Sequence, residues 1–362
     1  MAAVRPVLIM AGGTGGHVFP ALAVAKALRD RGVPVVWLGV PGSMEARLVP
    51  ANGFPIEWIR VRGVRGKGLG ALAMAPVRVL TAVVQAMAIL RRLRPRAVLG
   101  AGGYVSGPGG VAAWLLRIPL VIHEQNAVPG LTNRWLSRLA GQVLQAFPGS
   151  FAADVRARTV GNPVRADIAA LAEPAERFAG REGRTRLLVF GGSQGAQRLN
   201  AAVPQALSQL SPERRPQVRH QAGERGLNAA REAYAAARVD AEVTAFIDDM
   251  AAAYAWADIA VCRAGAMTIA ELQAAGLAAL LVPLAVATDD HQTKNAQALV
   301  SVGAARVIAE RNLSAETLAA CLTELTADRA RLLAMAQSAR RTRVIDAATQ
   351  VADSCLAAGV PA

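Results

Sequence analysis

A short, wholly apolar segment running straight into a glycine-rich loop occurs twice, about half a chain apart. This repeat constrains the fold more than any other feature. The first copy is Val7-Leu8-Ile9-Met10 followed by Ala11-Gly12-Gly13-Thr14-Gly15-Gly16-His17. The second is Leu187-Leu188-Val189-Phe190 followed by Gly191-Gly192-Ser193-Gln194-Gly195-Ala196. Apolar runs of this length suit strands buried on both faces of a parallel sheet. Each loop reads as the entry to a helix, where glycine lets the backbone approach a ligand and free N–H groups with a positive dipole end favour an anion. Two such units predict a chain built from two similar α/β halves, and 362 residues suffice for two domains with separate cores.

The remaining pattern supports that reading. In the first half, Val33–Leu38, Ala97–Gly100, Leu120–Ile122 and Val143–Ala146 read as strands between Ala- and Leu-rich helical stretches. In the second, Leu187–Phe190, Val218–Gln221, Val243–Phe246, Ile259–Val261 and Ala279–Val282 do so, and everything from Ser314 onward reads as helix. Alternating strand and helix implies doubly wound parallel sheets. The Gly161-Asn162-Pro163 turn marks the end of the first half. The expected domains are therefore 1–162 and 163–341, with a terminal helix, about 342–362, packing back on the first.

Charge is distributed unevenly. Residues 1–150 hold 17 Lys and Arg against 4 Asp and Glu, whereas the remainder holds 23 against 22. The first half should therefore face something anionic. Aromatic residues make up only 4% of the chain, too few for the stacking platforms of a nucleic-acid-binding protein. Cys262, Cys321 and Cys355 are widely spaced and form no zinc or disulfide pattern, so no metal is expected and a reducing cytoplasm is the default compartment. No signal peptide is read at the N-terminus. Leu69 to Leu90 is apolar but interrupted by Pro76, Arg78, Thr81 and Gln85, and flanked by Arg60, Arg62, Arg65, Lys67, Arg91, Arg92, Arg94 and Arg96. That pattern fits either a core helix with solvated basic ends or docking on an anionic leaflet better than it fits a membrane span.

Polar clusters follow the strands, where open α/β sheets bind ligands. The first loop fails as a dinucleotide fingerprint: Val18 stands where GxGxxG needs a small residue, and Trp37-Leu38-Gly39 supplies no acid for a ribose. It reads instead as a phosphate loop or as a platform for His17. A helix start disfavours a charged imidazole, and a neutral one can act as a general base. Glycines around Tyr104 and the polar run His123-Glu124-Gln125-Asn126 offer further ligand contacts. In the second half, Ala266-Met267-Thr268 opens a helix whose amides suit a diphosphate, and Glu271, one turn in, suits ribose hydroxyls. Asp289-Asp290-His291 looks like a metal cluster only superficially, because adjacent residues on one turn rarely converge on one ion.

Taken together, GGTGGHVFPALAVA (12–25), GGYVSGP (102–108), HEQNAVPG (123–130), GNPVR (161–165), GGSQGA (191–196), FIDDMAAAYAWAD (246–258), CRAGAMTIAEL (262–272) and DDHQTKNA (289–296) resemble the MurG family of bacterial glycosyltransferases. The resemblance covers most of the chain. It implies a GT-B architecture, two Rossmann-like domains with a cleft between them. It also implies inverting transfer of N-acetylglucosamine from UDP-N-acetylglucosamine to undecaprenyl-diphospho-muramyl-pentapeptide in peptidoglycan synthesis, with no cofactor. The same resemblance gives a peripheral position on the cytoplasmic face of the inner membrane, cell-wall synthesis proteins as partners, and no nucleic acid. By motif position, His17 is the expected base and Glu124 the reserve. Donor contacts are expected from Thr14, Gly15, Gly16, Asn126, Arg165, Ser193, Gln194, Ile247, Ala266, Met267, Thr268, Ile269, Ala270, Glu271 and Gln292. Acceptor contacts are expected from Gly13, Thr14, His17 and Tyr104. Ala264 and Thr293 depart from the residues some relatives carry, Ser and Gln, and the second could alter sugar contacts. The alternatives are another GT-B sugar-nucleotide enzyme and, further off, a nucleic-acid-binding protein; a nicotinamide-dependent oxidoreductase fails on the fingerprint.

Overall fold

The computed structural model describes residues 4–60, 75–191, 196–284 and 290–359. They form two compact units, Met1–Pro163 with Asp346–Ala362, and Val164–Ile345.

The first unit is a seven-stranded parallel sheet. Its strands are β1 (Val7–Met10), β2 (Val35–Gly39), β3 (Ile56–Trp58), β4 (Ala97–Gly100), β5 (Leu120–Glu124), β6 (Gln142–Gln145) and β7 (Arg158–Thr159), in the order β3-β2-β1-β4-β5-β6-β7. Val7 pairs with both Val35 and Ala97, which fixes β1 at the centre. Strand alternation sends Val7, Ile9, Trp37 and Leu99 to one face and Leu8, Met10, Leu38 and Val98 to the other. The first face packs on the helices Gly15–Arg29 and Ala347–Ala358. Val351, Ala352 and Cys355 of the latter lie in that core, so the C-terminal helix belongs to the N-terminal unit. The second face packs on the helices Ala75–Leu93 and Ser106–Leu115. Because both faces are covered, the central strands are apolar throughout rather than alternating.

The second unit is a six-stranded parallel sheet of β8 (Arg186–Phe190), β9 (Gln217–Gln221), β10 (Glu242–Thr244), β11 (Ile259–Cys262), β12 (Ala278–Leu281) and β13 (Ala305–Val307), in the order β10-β9-β8-β11-β12-β13. Leu187 and Val189 pack with Val218, Val261 and Leu280 under the helices Gln197–Ser208 and Ala315–Thr326.

Three strands escape the apolar-run criterion. β3, β7 and β13 are two or three residues long, lie at sheet edges and carry Glu57, Arg158 and Arg306. β5 runs two residues further than its apolar core, because His123 and Glu124 keep pairing with Leu144 and Gln145. β10 ends at Thr244, so Phe246 is outside it and more than half exposed. Of the apolar stretch from Leu69 to Leu90, residues 69–74 lie outside the described residues, as do Arg62, Arg65 and Lys67; the rest is helix.

Candidate active site

In each sheet the strand order reverses at a central pair, β1 and β4 in the first and β8 and β11 in the second. The loops leaving such a pair diverge and open a crevice at the strands' carboxyl ends.

In the first unit these loops are built against each other. A Cβ on Gly103, at φ +82°, would stand 2.2 Å from the Gly12 carbonyl oxygen. One on Gly102, at φ +98°, would stand 2.8 Å from Nδ1 and Cε1 of His17. Only glycine combines that backbone with that clearance. Ser106 Oγ donates across the pair to the carbonyls of Met10 (2.9 Å) and Gly102 (2.8 Å), and Trp37 Nε1 donates to Ala11 O (3.0 Å). Beneath the first loop lies Glu45, fully buried. It accepts the Gly13 N–H at 3.2 Å and the Val40 N–H at 3.4 Å. The Gly13 amide is therefore turned inward. Tyr104 stands over Gly13, and its hydroxyl pKa is raised by burial and by the Glu45 carboxylate.

His17 is half-buried in the first turn of Gly15–Arg29, with Nδ1 2.8 Å from Oε1 of Gln125. Gln125 Nε2 donates to the His123 carbonyl and to His123 Nδ1, both at 3.0 Å, and His123 Nε2 donates to the Gly161 carbonyl at 2.9 Å. Asn162 Nδ2 donates to the Gln125 carbonyl (3.0 Å), tying the same segment to the turn that ends the unit. Burial lowers the His123 pKa, its largest influence, so this imidazole is neutral near pH 7.

Glu124 is 1% exposed, and its carboxylate is saturated. Oε1 accepts from Asn126 N (2.9 Å) and Asn126 Nδ2 (3.2 Å); Oε2 accepts from Gly130 N (3.1 Å) and Asn133 Nδ2 (2.9 Å). A carboxylate holding four donors away from solvent shapes the loop and aims Asn126. It is poorly placed to receive a substrate proton, which removes the physical basis for Glu124 as reserve base.

In the second unit the helix Ala266–Ala275 starts at Gly265 without a side-chain cap. Glu271, one turn in, is half-buried. Its Oε2 accepts the Tyr254 hydroxyl at 2.9 Å, and burial, opposed by that bond and by the Arg165 charge, raises its pKa. Burial and the neighbouring Glu271 likewise push the Tyr254 hydroxyl pKa upward. Arg165 pairs loosely with Asp167 (3.8 Å) and stays partly exposed. Ile247 N–H donates to Gln221 Oε1 at 3.3 Å, so its carbonyl is the backbone group left for a ligand. Gln292 Oε1 accepts Leu284 N–H at 3.0 Å, which directs the other end of that amide away from the bond. Met267 and Thr268 are half-buried, and Ala266 is buried at the helix start. Ile269 and Ala270 turn their side chains into the core, and Ile269 N–H is used by Gly265 O (3.0 Å). Their buried side chains and the used Ile269 amide give these two positions a part in holding the helix start in place. Ser193, Gln194 and Asp289 lie outside the described residues. Among the described residues no three His, Cys, Asp or Glu side chains form a metal-binding group.

Four of these residues carry little signal in sequence. Gln125 and His123 sit inside a polar run whose members cannot be ranked without the fold. Tyr254 lies in an alanine-rich helix far from Glu271 in sequence. The one signal for Glu45 is that it is one of only four acids among the first 150 residues.

Each unit is a parallel sheet whose strand order reverses at a central pair, the arrangement of a nucleotide-binding Rossmann-like domain. Residues 7–145 match the glycosyltransferase family 28 N-terminal domain, and residues 186–351 match its C-terminal domain. The chain is 58% identical over 351 residues to a relative from Alkalilimnicola ehrlichii, covering 97% of this chain and 98% of that one. That relative is named UDP-N-acetylglucosamine–N-acetylmuramyl-(pentapeptide) pyrophosphoryl-undecaprenol N-acetylglucosamine transferase. A protein of the same name from Marinobacter nauticus is 53% identical over 98% of both chains. The crystal structure of Acinetobacter baumannii MurG superimposes with a TM-score of 0.86 at 42% identity, over 98% of this chain and 99% of that one. The chain belongs to the MurG family.

Proposed function

We propose that this chain transfers N-acetylglucosamine from UDP-N-acetylglucosamine to the muramyl sugar of undecaprenyl-diphospho-muramyl-pentapeptide, in peptidoglycan synthesis. The observation that carries the reading is the 53–58% identity maintained over essentially the full length of chain and relatives alike. The acceptor hydroxyl attacks the anomeric carbon, the bond from that carbon to the diphosphate breaks, and UDP leaves with inversion. His17 takes the hydroxyl proton. General-base catalysis of this kind contributes about 10²–10⁴-fold.

In the second unit, Glu271 receives the ribose hydroxyls through its carboxylate, and the Ile247 carbonyl meets the uracil. The start of Ala266–Ala275, with Ser193, Gln194 and Arg165, stabilises the diphosphate as charge develops on it. Gln292 and Asn126 contact the sugar. In the first unit, Thr14, Gly15, Gly16 and Tyr104 meet the acceptor beside His17. The helix Ala75–Leu93 exposes Val77, Leu80 and Val84, together with Arg78, Arg91 and Arg92, and Trp114 and Leu115 are exposed on Ser106–Leu115, which packs on the same sheet face. Exposed apolar residues among cations dock on anionic lipid without crossing it. No described helix is long and apolar enough to span a membrane. We place the protein on the cytoplasmic face of the inner membrane, where its lipid-linked acceptor lies.

The test is transfer of radiolabel from UDP-N-acetylglucosamine to a short-chain lipid-linked muramyl-pentapeptide. Label in the lipid fraction that requires both substrates is the expected result. Label released as free sugar, or transfer only to other acceptors, refutes the reading.

A further inference from the structure

We infer that Gln125, itself oriented by His123, is a positioning residue that holds His17 in the tautomer carrying hydrogen on Nδ1, leaving a bare lone pair on Nε2. The inference rests on the reading of His17 as the base.

The argument starts from the two carbonyls in the network, which can only accept. Gly161 O lies 2.9 Å from His123 Nε2, so that nitrogen carries a hydrogen; in a neutral ring Nδ1 is then an acceptor. His123 O lies 3.0 Å from one terminal atom of the Gln125 side chain, so that atom is the NH2 group. The same NH2 reaches His123 Nδ1 at 3.0 Å, which agrees with the tautomer fixed by Gly161. Two independent acceptors thus set the orientation of the amide. Its other end, the carbonyl oxygen, faces His17 Nδ1 at 2.8 Å. An amide oxygen has no hydrogen to give, so His17 Nδ1 must donate, and in the neutral ring Nε2 holds the free lone pair. Gln125 and His123 are 1% and 2% exposed, so water does not compete for these bonds. A glutamine here does what a carboxylate does behind many catalytic histidines, selecting one tautomer, but without adding a charge.

The chain has four histidines, which makes ring ¹⁵N resonances assignable one by one by single substitutions. In the full-length protein near pH 8, His17 should show a pyrrole-type Nδ1 and a pyridine-type Nε2, and His123 the reverse. Gln125→Leu, which keeps the bulk and removes the acceptor, should give His17 a mixture of tautomers. One lost hydrogen bond shifts such a balance, and with it kcat, by about three- to tenfold. The KM for UDP-N-acetylglucosamine should stay within about twofold. Gln125→Glu keeps an oxygen toward His17 and should keep its tautomer. A pyrrole-type Nε2 on His17 in the unsubstituted protein overturns the inference whether or not any variant folds. So does a tautomer that Gln125→Leu leaves untouched. If the tautomer shifts in Gln125→Leu while kcat does not, the positioning stands and His17 is not the base.

Discussion

Replacing Gly102 with alanine tests how tightly the site depends on the packing of the two first-unit loops. The new Cβ would sit 2.8 Å from Nδ1 and Cε1 of His17, in a backbone at φ +98°. Ordinary contact between such atoms begins near 3.5 Å, so the ring must retreat by about 0.7 Å or the loop must shift as much. The 2.8 Å bond from His17 to Gln125 can lengthen by only about 0.4 Å before it passes the roughly 3.2 Å limit of a normal hydrogen bond. The substitution therefore breaks the contact that aims His17. Misplacement of about 1 Å costs up to about 10²-fold in rate, so kcat should fall by about 10- to 100-fold. His17→Ala, which removes the group altogether, should cost about 10²–10⁴-fold and set the floor. The left-handed backbone adds a stability loss of about 1–3 kcal/mol. Single-turnover transfer of labelled N-acetylglucosamine, alongside urea unfolding and UDP binding by calorimetry, separates the effects. UDP affinity should be unchanged, because the second unit is untouched. A folded Gly102→Ala protein with wild-type kcat would refute the claim that this glycine clears space for a working His17.

Three other outcomes follow from the same geometry. Glu124→Gln replaces one acceptor oxygen with a donor facing donors, and should cost about 2–4 kcal/mol in chemical unfolding, with sugar-donor KM rising as Asn126 loses its anchor; an unchanged unfolding midpoint would sink the idea that Glu124 is a structural hub. Glu271 has a raised pKa, so its carboxylate takes up a proton as pH falls while ordinary carboxylates are still ionised; protonation removes acceptor capacity, and UDP affinity should decline over that acidic range in the wild type but not in Glu271→Gln. A flat wild-type profile counts against the ribose role. Leu80→Asp with Val84→Asp, at exposed positions one helical turn apart, should abolish sedimentation with anionic vesicles while leaving transfer to a short-chain acceptor in detergent intact; retained vesicle binding would place the docking surface elsewhere.

The parts of the fold that sequence makes legible are those in which burial is complete. β1, β4, β11 and, from Leu187 onward, β8 are apolar because helices cover both faces, and the glycine-rich sequences after β1 and β8 announce the strand reversals. Edge strands such as Arg158–Thr159 are short and polar, held by backbone pairing and by side-chain bonds from Gln145 to Thr159 and from Arg158 to Ser354, which leaves no apolar run to read. The site divides in the same way. His17 and Glu271 are visible because each sits within the first two turns of a helix that follows an apolar strand. Gln125 is invisible because its importance lies in which way a buried amide points. That is decided by the carbonyls of His123 and Gly161, the second of them 36 residues away.

The two strand–glycine segments are alike in sequence, and Glu45 bears on what the first of them does chemically. A loop that wraps phosphate presents its amides outward and keeps negative charge away. In the first loop the Gly13 amide faces inward, to a buried carboxylate that also accepts from Val40. An anion drawn close over Gly13 would meet that charge across a few ångströms of low-dielectric interior, where repulsion is strong. The loop instead gains rigidity: Glu45 holds its start, Gly103 lets it touch the neighbouring turn, and Gly102 leaves room for the imidazole. Its glycines thus serve to seat His17 rather than to cradle phosphate at Gly13. That is why the loop can lack a dinucleotide fingerprint and still require glycine at so many positions.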